Sequence, residues 1–133
     1  MSVTFIIPCF NSKNIILKNF LKLYNFVKEN KIDSKIIYIN DGSGDTTINE
    51  LQKIKNKKIK IINNKKNLGK SYSIIKALEK IETKNVILID CDLPYFSSLK
   101  KVINNLNFYD LVIVNRKIPG SKNIDKKKKF YQI

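Results

Sequence analysis

Among its 133 residues the sequence holds no histidine. That absence excludes the imidazole base on which triad-type serine and cysteine hydrolases depend. It also removes the commonest zinc ligand, and two cysteines, Cys9 and Cys91, are too few for a thiolate cage. Each cysteine sits in or just after an apolar stretch, so both read as reduced, buried small side chains of a cytosolic protein. No apolar run approaches the ~20 residues of a membrane-spanning helix. The opening Met1-Ser2-Val3-Thr4-Phe5 has neither a basic n-region nor a small-residue cleavage site, so no signal peptide is expected. Acidic residues are scarce, 11 against 26 basic ones, which leaves a net charge of +15. Lysine, asparagine and isoleucine recur in every segment, so much of this charge reads as compositional bias and solvated surface. It favours anionic partners such as phosphates, acidic lipid surfaces or nucleic acid without choosing among them. Basic and aromatic residues do not interleave along any one strand or helix, so nucleic acid is not the expected partner. Arginine is scarcest of all: Arg116 stands alone among the 26 basic residues. Where lysine is the default, one planar, forked, permanently charged donor points to a phosphate or carboxylate.

What is present begins with Val86-Ile87-Leu88-Ile89-Asp90-Cys91-Asp92-Leu93-Pro94. Four apolar residues read as a central parallel strand buried on both faces. The strand then delivers Asp90 and Asp92 at its carboxyl end, the edge where open α/β sheets bind ligands. At period 2 the two carboxylates point the same way while the strand lasts, so they could share one hard cation and, through it, a diphosphate. The same pair would also serve as a strand end and a cap for the helix after Pro94, and the motif alone does not choose.

Along the chain, apolar strands are expected at 3–7 (stopped by Pro8), 35–39, 58–62, 86–89 and 111–114. Helices are expected over 12–30, capped by Asn11 or Ser12, over 46–55, opened by Asp45 or Thr46, and over 70–81 and 95–106. The alternation predicts one α/β domain with a three-layer, mostly parallel sheet, Rossmann-like in kind. The candidate chemistry falls at strand ends: Pro8-Cys9-Phe10, Asn40-Asp41, Asp90-Cys91-Asp92 and Asn115-Arg116. Two nucleotide motifs fail on inspection. Gly69-Lys70-Ser71 lacks the first glycine of a P-loop, because residue 64 is Asn64, and Gly42-Ser43-Gly44 meets Thr47 where a dinucleotide fingerprint needs its third glycine.

A better match spans nearly the whole chain. Phe5-Ile6-Ile7-Pro8-Cys9-Phe10-Asn11 resembles the opening strand of family 2 glycosyltransferases, and Asn40-Asp41-Gly42-Ser43-Gly44-Asp45-Thr46 resembles their Asp-Asp-Gly-Ser-x-Asp-x-Thr turn. Asn67-Leu68-Gly69-Lys70 is similar to their Asn-x-Gly-Lys helix start, and Asp90-Cys91-Asp92 to their metal-binding Asp-x-Asp. Val112-Ile113-Val114-Asn115-Arg116 is similar to the hydrophobic-Gly-Ser-Arg segment of the branch that glycosylates polyprenyl phosphates.

The resemblance implies a GT-A fold, a nucleotide-diphosphate-sugar donor and Mg²⁺ or Mn²⁺. It places Pro8 and Phe10 beside the base, Asp41 as acceptor of the base's ring N–H, and Lys70 as positive charge at a helix amino terminus. Asp92 would hold the metal, with Asp90 supporting it or facing the sugar, and Arg116 would clamp an acceptor phosphate. Three departures stand out. Asn40 replaces the first Asp of the turn, Ser12 stands where many polyprenyl-branch members have Glu, and the family's catalytic domains run well beyond Arg116. The expected organisation is a nucleotide-sugar-binding domain over 1–117 and a basic tail over 118–133, cytoplasmic or peripheral to a membrane. Such a chain is a minimal inverting transferase, a donor-binding half completed by a carboxyl-terminal half or a second copy, or a non-catalytic binding domain.

Overall fold

Four parallel strands carry the chain back and forth: β1 (Ser2–Cys9), β2 (Asp33–Asp41), β3 (Ile59–Asn64) and β4 (Asn85–Leu88). The computed structural model describes residues 1–114. Parallel pairing requires a long crossover after each strand, and helices α1 (Ile16–Glu29), α2 (Thr47–Gln52) and α3 (Lys70–Leu78) supply it. The strand order is β3-β2-β1-β4. The chain therefore winds outward from β1 through β2 to β3, then returns to the other side of β1, which makes the β1/β4 boundary the topological switch point.

The central strands read as near-continuous apolar runs because both of their faces are covered. Val3, Phe5, Ile6 and Ile7 are at most 1% exposed. Ile6, Ile37 and Ile39 face α3, where Ala77 meets them and Ile62, Ile81 and Val86 close the cluster. The alternate residues, among them Phe5, Ile7, Ile36 and Tyr38, face the other way. On that side α1 and α2 bury Ile16, Leu23 and Leu51 completely. Ile16, Phe20, Leu23 and Val27 give α1 the helical spacing expected of an amphipathic crossover.

Several expectations are corrected. The strand before Asp90 is an edge of the described sheet, not a central strand: it pairs only through Val3↔Asn85 to Ile6↔Leu88, and Leu88 is half exposed. Pro8 does not stop the first strand, which continues to Cys9 opposite Asn40. Ile6 gives its carbonyl to the β4 side, where Ile89 N–H donates to it at 3.1 Å. By period 2 the nitrogen of Pro8 faces that same side, beyond the last β4 pair, so its missing N–H breaks no bond. Residues 111–114 are not a strand, and Leu111 and Ile113 are each 74% exposed. An apolar, β-branched run has the propensity for a strand but forms one only against a pairing edge. The helix expected over 95–106 is a short 3₁₀ turn, Phe96–Ser98, followed by α4 (Leu99–Asn105).

The first compact unit is Met1–Pro94, and a second begins at Tyr95. The expected tail from 118 lies outside the described residues. Among the described residues no helix is long and apolar enough to cross a membrane.

Candidate functional site

The carboxyl ends of the strands open into a cleft of about 500 Å³ in the first unit. Pro8, Cys9 and Phe10 line it from the end of β1, Asp41 from β2, Asn67, Gly69 and Lys70 from the start of α3, and Asp90, Cys91 and Asp92 from beyond β4. The fold thus gathers Pro8, Phe10, Asp41, Lys70, Asp90 and Asp92 into one space at the switch point. Arg116 lies outside the described residues.

The loop carrying Phe10 is fixed by the turn after β2. Asn11 adopts a left-handed φ of 48°, tolerable for a short polar side chain. Its N–H donates to Ser43 Oγ at 3.0 Å, and its Oδ1 accepts from Gly44 N–H at 2.9 Å. Ser12 N–H donates to Thr47 Oγ1 at 2.7 Å. Lys13 N–H donates to Asp45 Oδ2 at 3.3 Å. Asn11 and Ser12 therefore do not cap α1 with their side chains; they join two loops. The N-cap of α2 is Thr46, which makes no side-chain cap bond, and just before it Asp45 accepts Thr47 N–H at 2.9 Å in an Asx turn. Its hydrogen bonds with Thr47 hold its carboxyl below the usual carboxylate range.

Asp41 is the best-anchored of the acidic residues. It is only 4% exposed although it borders the cleft. Oδ1 accepts from Leu68 N–H and Asn64 Nδ2, and Oδ2 from Gly69 N–H, each at 3.0 Å. Burial alone would raise its pKa, but the donors from Leu68, Asn64, Ser73 and Gly69 together hold it below the usual carboxylate value. Asn64 in turn donates to Ser73 Oγ at 2.9 Å and accepts from Lys76 Nζ at 3.0 Å. One rung along the same register, Asn40 donates to Asn63 Oδ1 at 2.7 Å and accepts from Ser43 Oγ. The 67–69 loop is thus pinned to the end of β2. Gly42 allows it to come close: with φ at 63°, a Cβ there would meet the Lys66 carbonyl carbon at 2.1 Å. Gly69, at φ 89° and ψ 152°, occupies a region essentially restricted to glycine and turns the chain into α3.

Beyond β4 the two carboxylates sit in a turn, not on a strand, since the ladder ends at Leu88 and Leu93 N–H donates to Asp90 O at 2.9 Å. The turn is tight enough to hold Leu93 at a left-handed φ of 51° while burying its side chain. Lys70 Nζ donates to Asp90 Oδ1 at 2.5 Å, and Asp92 is exposed to the cleft. Neither the 3₁₀ turn nor α4 carries a side-chain cap, so Asp92 is not engaged in that role.

Two carboxylates on one wall, with no group of three or more potential ligands among the described residues, do not enclose a cation. They fit a hard divalent ion that completes its shell with water and phosphate oxygens.

Sequence reasoning missed Asn64 and Ser73, which hold Asp41, and treated Cys9 and Cys91 only as buried thiols. The signal for Asn64 was its place in a polar run at a strand end, visible only once β3 is aligned with β2.

A parallel α/β sheet with acidic and aromatic residues converging on a cleft at the switch point defines the class, an open Rossmann-like α/β protein. The glycosyl transferase family 2 model matches residues 4–131, and the chain belongs to that family. It is 32% identical over 95 residues to an uncharacterized glycosyltransferase of Synechocystis sp., covering 70% of this chain and 30% of that protein. It is 29% identical over 122 residues to the Bacillus subtilis putative glycosyltransferase CsbB, covering 89% and 37%. The chain therefore spans about a third of these relatives. Its fold is that of GT-A glycosyltransferases. The mannosyltransferase PcManGT from Pyrobaculum calidifontis, solved with GDP-Man and Mn²⁺, matches with a TM-score of 0.61 at 18% identity, over 76% of this chain and 31% of that one. S. aureus TarS in complex with UDP-GlcNAc matches with a TM-score of 0.59 at 23% identity, over 79% and 32%.

Proposed function

We propose that this chain forms the donor-binding part of an inverting, metal-dependent glycosyltransferase that takes a UDP- or GDP-sugar and delivers the sugar to a polyprenyl phosphate. The observation that carries the reading is the convergence of Phe10, Asp41, Lys70, Asp90 and Asp92 in one cleft. Phe10, half exposed at the rim, offers a ring against which a base can stack. Asp41 borders the cleft with its carboxyl held below the usual pKa, so in this reading it is ionised and accepts the ring N–H of a base. Asp92, with Asp90 beside it, holds Mg²⁺ or Mn²⁺. When bound, that ion supplies Lewis-acid neutralisation of the leaving diphosphate. Lys70 stands at the amino terminus of α3, where its charge and the free backbone N–H groups favour phosphate. In this reading Lys70 exchanges Asp90 for a diphosphate oxygen when donor binds.

Arg116 grips the acceptor phosphate with its forked guanidinium. That acceptor is already an anionic nucleophile, so attack on the anomeric carbon requires no protein base. The work of the protein is to orient the two anions and offset their repulsion. A polyprenyl chain would bring the protein to a membrane surface, which its net charge of +15 favours.

A second reading, a nucleotide-sugar-binding domain without transferase activity of its own, is favoured by Asn40, which stands where the family's turn has its first Asp. Incubation with radiolabelled UDP- and GDP-sugars, Mn²⁺ and a short-chain polyprenyl phosphate separates the two. Labelled lipid supports transfer, while tight metal-dependent binding with no labelled lipid supports the second reading. Absence of any nucleotide binding contradicts both.

A further inference from the structure

A second cavity, of about 350 Å³, lies where β2 and β3 begin, at the other end of the strands from the donor cleft. Ile36 and Ile59, partners in the β2–β3 register, line it with Val27 from the last turns of α1. Ser34 stands two residues before Ile36, on the same face of β2, and lines it too. It is only 5% exposed, and its hydroxyl has no hydrogen-bond partner among the described residues. Among those residues no side-chain polar atom sealed from solvent lacks a partner, so this hydroxyl is reached through the cavity. A buried polar group in that state calls for one. Asn56 also lines the cavity; its Oδ1 accepts from Lys58 N–H at 2.9 Å, which leaves its Nδ2 as a second donor. Lys28 and Lys58 bring two ammonium groups, and among the described residues no carboxylate lines the space. Lys58 is shared with Asp33 at 3.2 Å, whereas Lys28 forms no ion pair among the described residues.

We propose that this cavity is a second binding site, for a medium-chain alkyl carboxylate. The carboxylate accepts from the Ser34 hydroxyl and takes its opposite charge from Lys28 and Lys58. The alkyl chain lies against Val27, Ile36 and Ile59. An inorganic anion would leave those apolar side chains uncovered, and a neutral hydrocarbon would leave the Ser34 hydroxyl unpaired. Only a ligand that is both anionic and apolar answers both halves of the lining. The volume stands at the low end of the roughly 300–1,000 Å³ of small-molecule sites, which fits a single short chain and is too small for a helix or a folded partner. Tyr24, whose ring packs on Phe20 with centroids 5.6 Å apart, borders the cavity as a fixed aromatic rim.

This site is independent of whether the donor cleft binds a nucleotide sugar, and its test uses no nucleotide. The full chain, labelled with ¹⁵N, is titrated with octanoate below its micelle-forming concentration and followed by amide shifts. The expected result is saturable shifts at Val27, Ser34 and Ile59, with Asp41, Leu68 and Gly69 unmoved. Acetate, which has the charge alone, and octan-1-ol, which has the chain alone, should each bind at least about tenfold more weakly. S34A should weaken octanoate about fivefold and K28M about threefold. Because the Ser34 hydroxyl gives up no partner in the free protein, S34A should melt no lower than wild type. Four results overturn the proposal: shifts that do not saturate and scatter over surface lysines, acetate or octan-1-ol binding as tightly as octanoate, S34A binding octanoate like wild type, or a lower melting temperature for S34A, which would make Ser34 a structural residue.

Discussion

Replacing Asp41 by asparagine tests whether one carboxylate holds the cleft together. The substitution keeps size and shape but removes the charge and turns one acceptor into a donor. The introduced carboxamide can keep its oxygen toward Leu68 N–H and Asn64 Nδ2, which both meet Oδ1 of Asp41. Its nitrogen then faces the Gly69 N–H that Oδ2 accepts at 3.0 Å in the wild type. One charge-assisted bond is lost and the other two weaken. A hydrogen bond to a charged group is worth about 1.5–3 kcal/mol, so a loss of about 2–3 kcal/mol is expected at neutral pH. For a domain of this size that lowers the melting temperature by roughly 6–12 °C.

The pH dependence sharpens the test. The folded-state pKa of Asp41 lies below its unfolded value, so its stabilisation is fully present above the unfolded pKa, near 4, and is lost as pH falls through the folded value. The gap between wild type and D41N should therefore be widest above about pH 5 and shrink below about pH 4. Urea denaturation of both proteins between about pH 3 and 7 measures it. A gap under about 0.5 kcal/mol at neutral pH, or one that does not change with pH, refutes the anchoring role.

G42A places a Cβ against the backbone of Lys66 and Asn67 and imposes a left-handed φ on alanine. The combined cost should be about 2–4 kcal/mol, read by denaturation, with faster amide exchange at Leu68 and Gly69 as their bonds to Asp41 are displaced. K70M should leave the melting temperature nearly unchanged, because a partly exposed ion pair such as Lys70–Asp90 contributes about 0–1 kcal/mol. It should nonetheless weaken UDP or GDP binding about tenfold by calorimetry, a change of about 1.4 kcal/mol. Equal loss of stability and affinity would make Lys70 a structural residue. R116K keeps the net charge and should cut transfer to a polyprenyl phosphate by about tenfold through loss of the forked grip. Unchanged turnover would remove Arg116 from the acceptor site.

Much of the first unit could be read from short-range pattern. The apolar runs at 3–7 and 35–39 are strands because both their faces are covered, and the helices between them follow apolar spacing. The cleft followed from topology, which brings the ends of all parallel strands to one edge. What pattern could not supply was pairing. The run over 86–89 reads as central from composition alone, yet the described sheet gives it one neighbour, and 111–114 has a similar composition and no ladder. Local chemistry misassigned Asn11 and Ser12 as helix caps, because their partners Ser43, Gly44 and Thr47 lie more than thirty residues away. The partners of Asp41 were hidden for the same reason: Asn64, Leu68 and Gly69 reach it only through the β2–β3 register.

In the proposed donor cleft, Asp92 would hold a divalent ion on a nucleotide diphosphate. The most direct measurement is calorimetric titration of UDP and GDP into wild type and D92N, each with Mn²⁺ and again with chelator. Wild type should bind one of the nucleotides at least about tenfold, or 1.4 kcal/mol, more tightly with Mn²⁺ than without it. D92N should bind it with the same weak affinity in both conditions, at an unchanged melting temperature. Equal Mn²⁺ enhancement in wild type and D92N would contradict the assignment of Asp92, and binding of neither nucleotide by wild type under any condition would contradict the donor cleft itself.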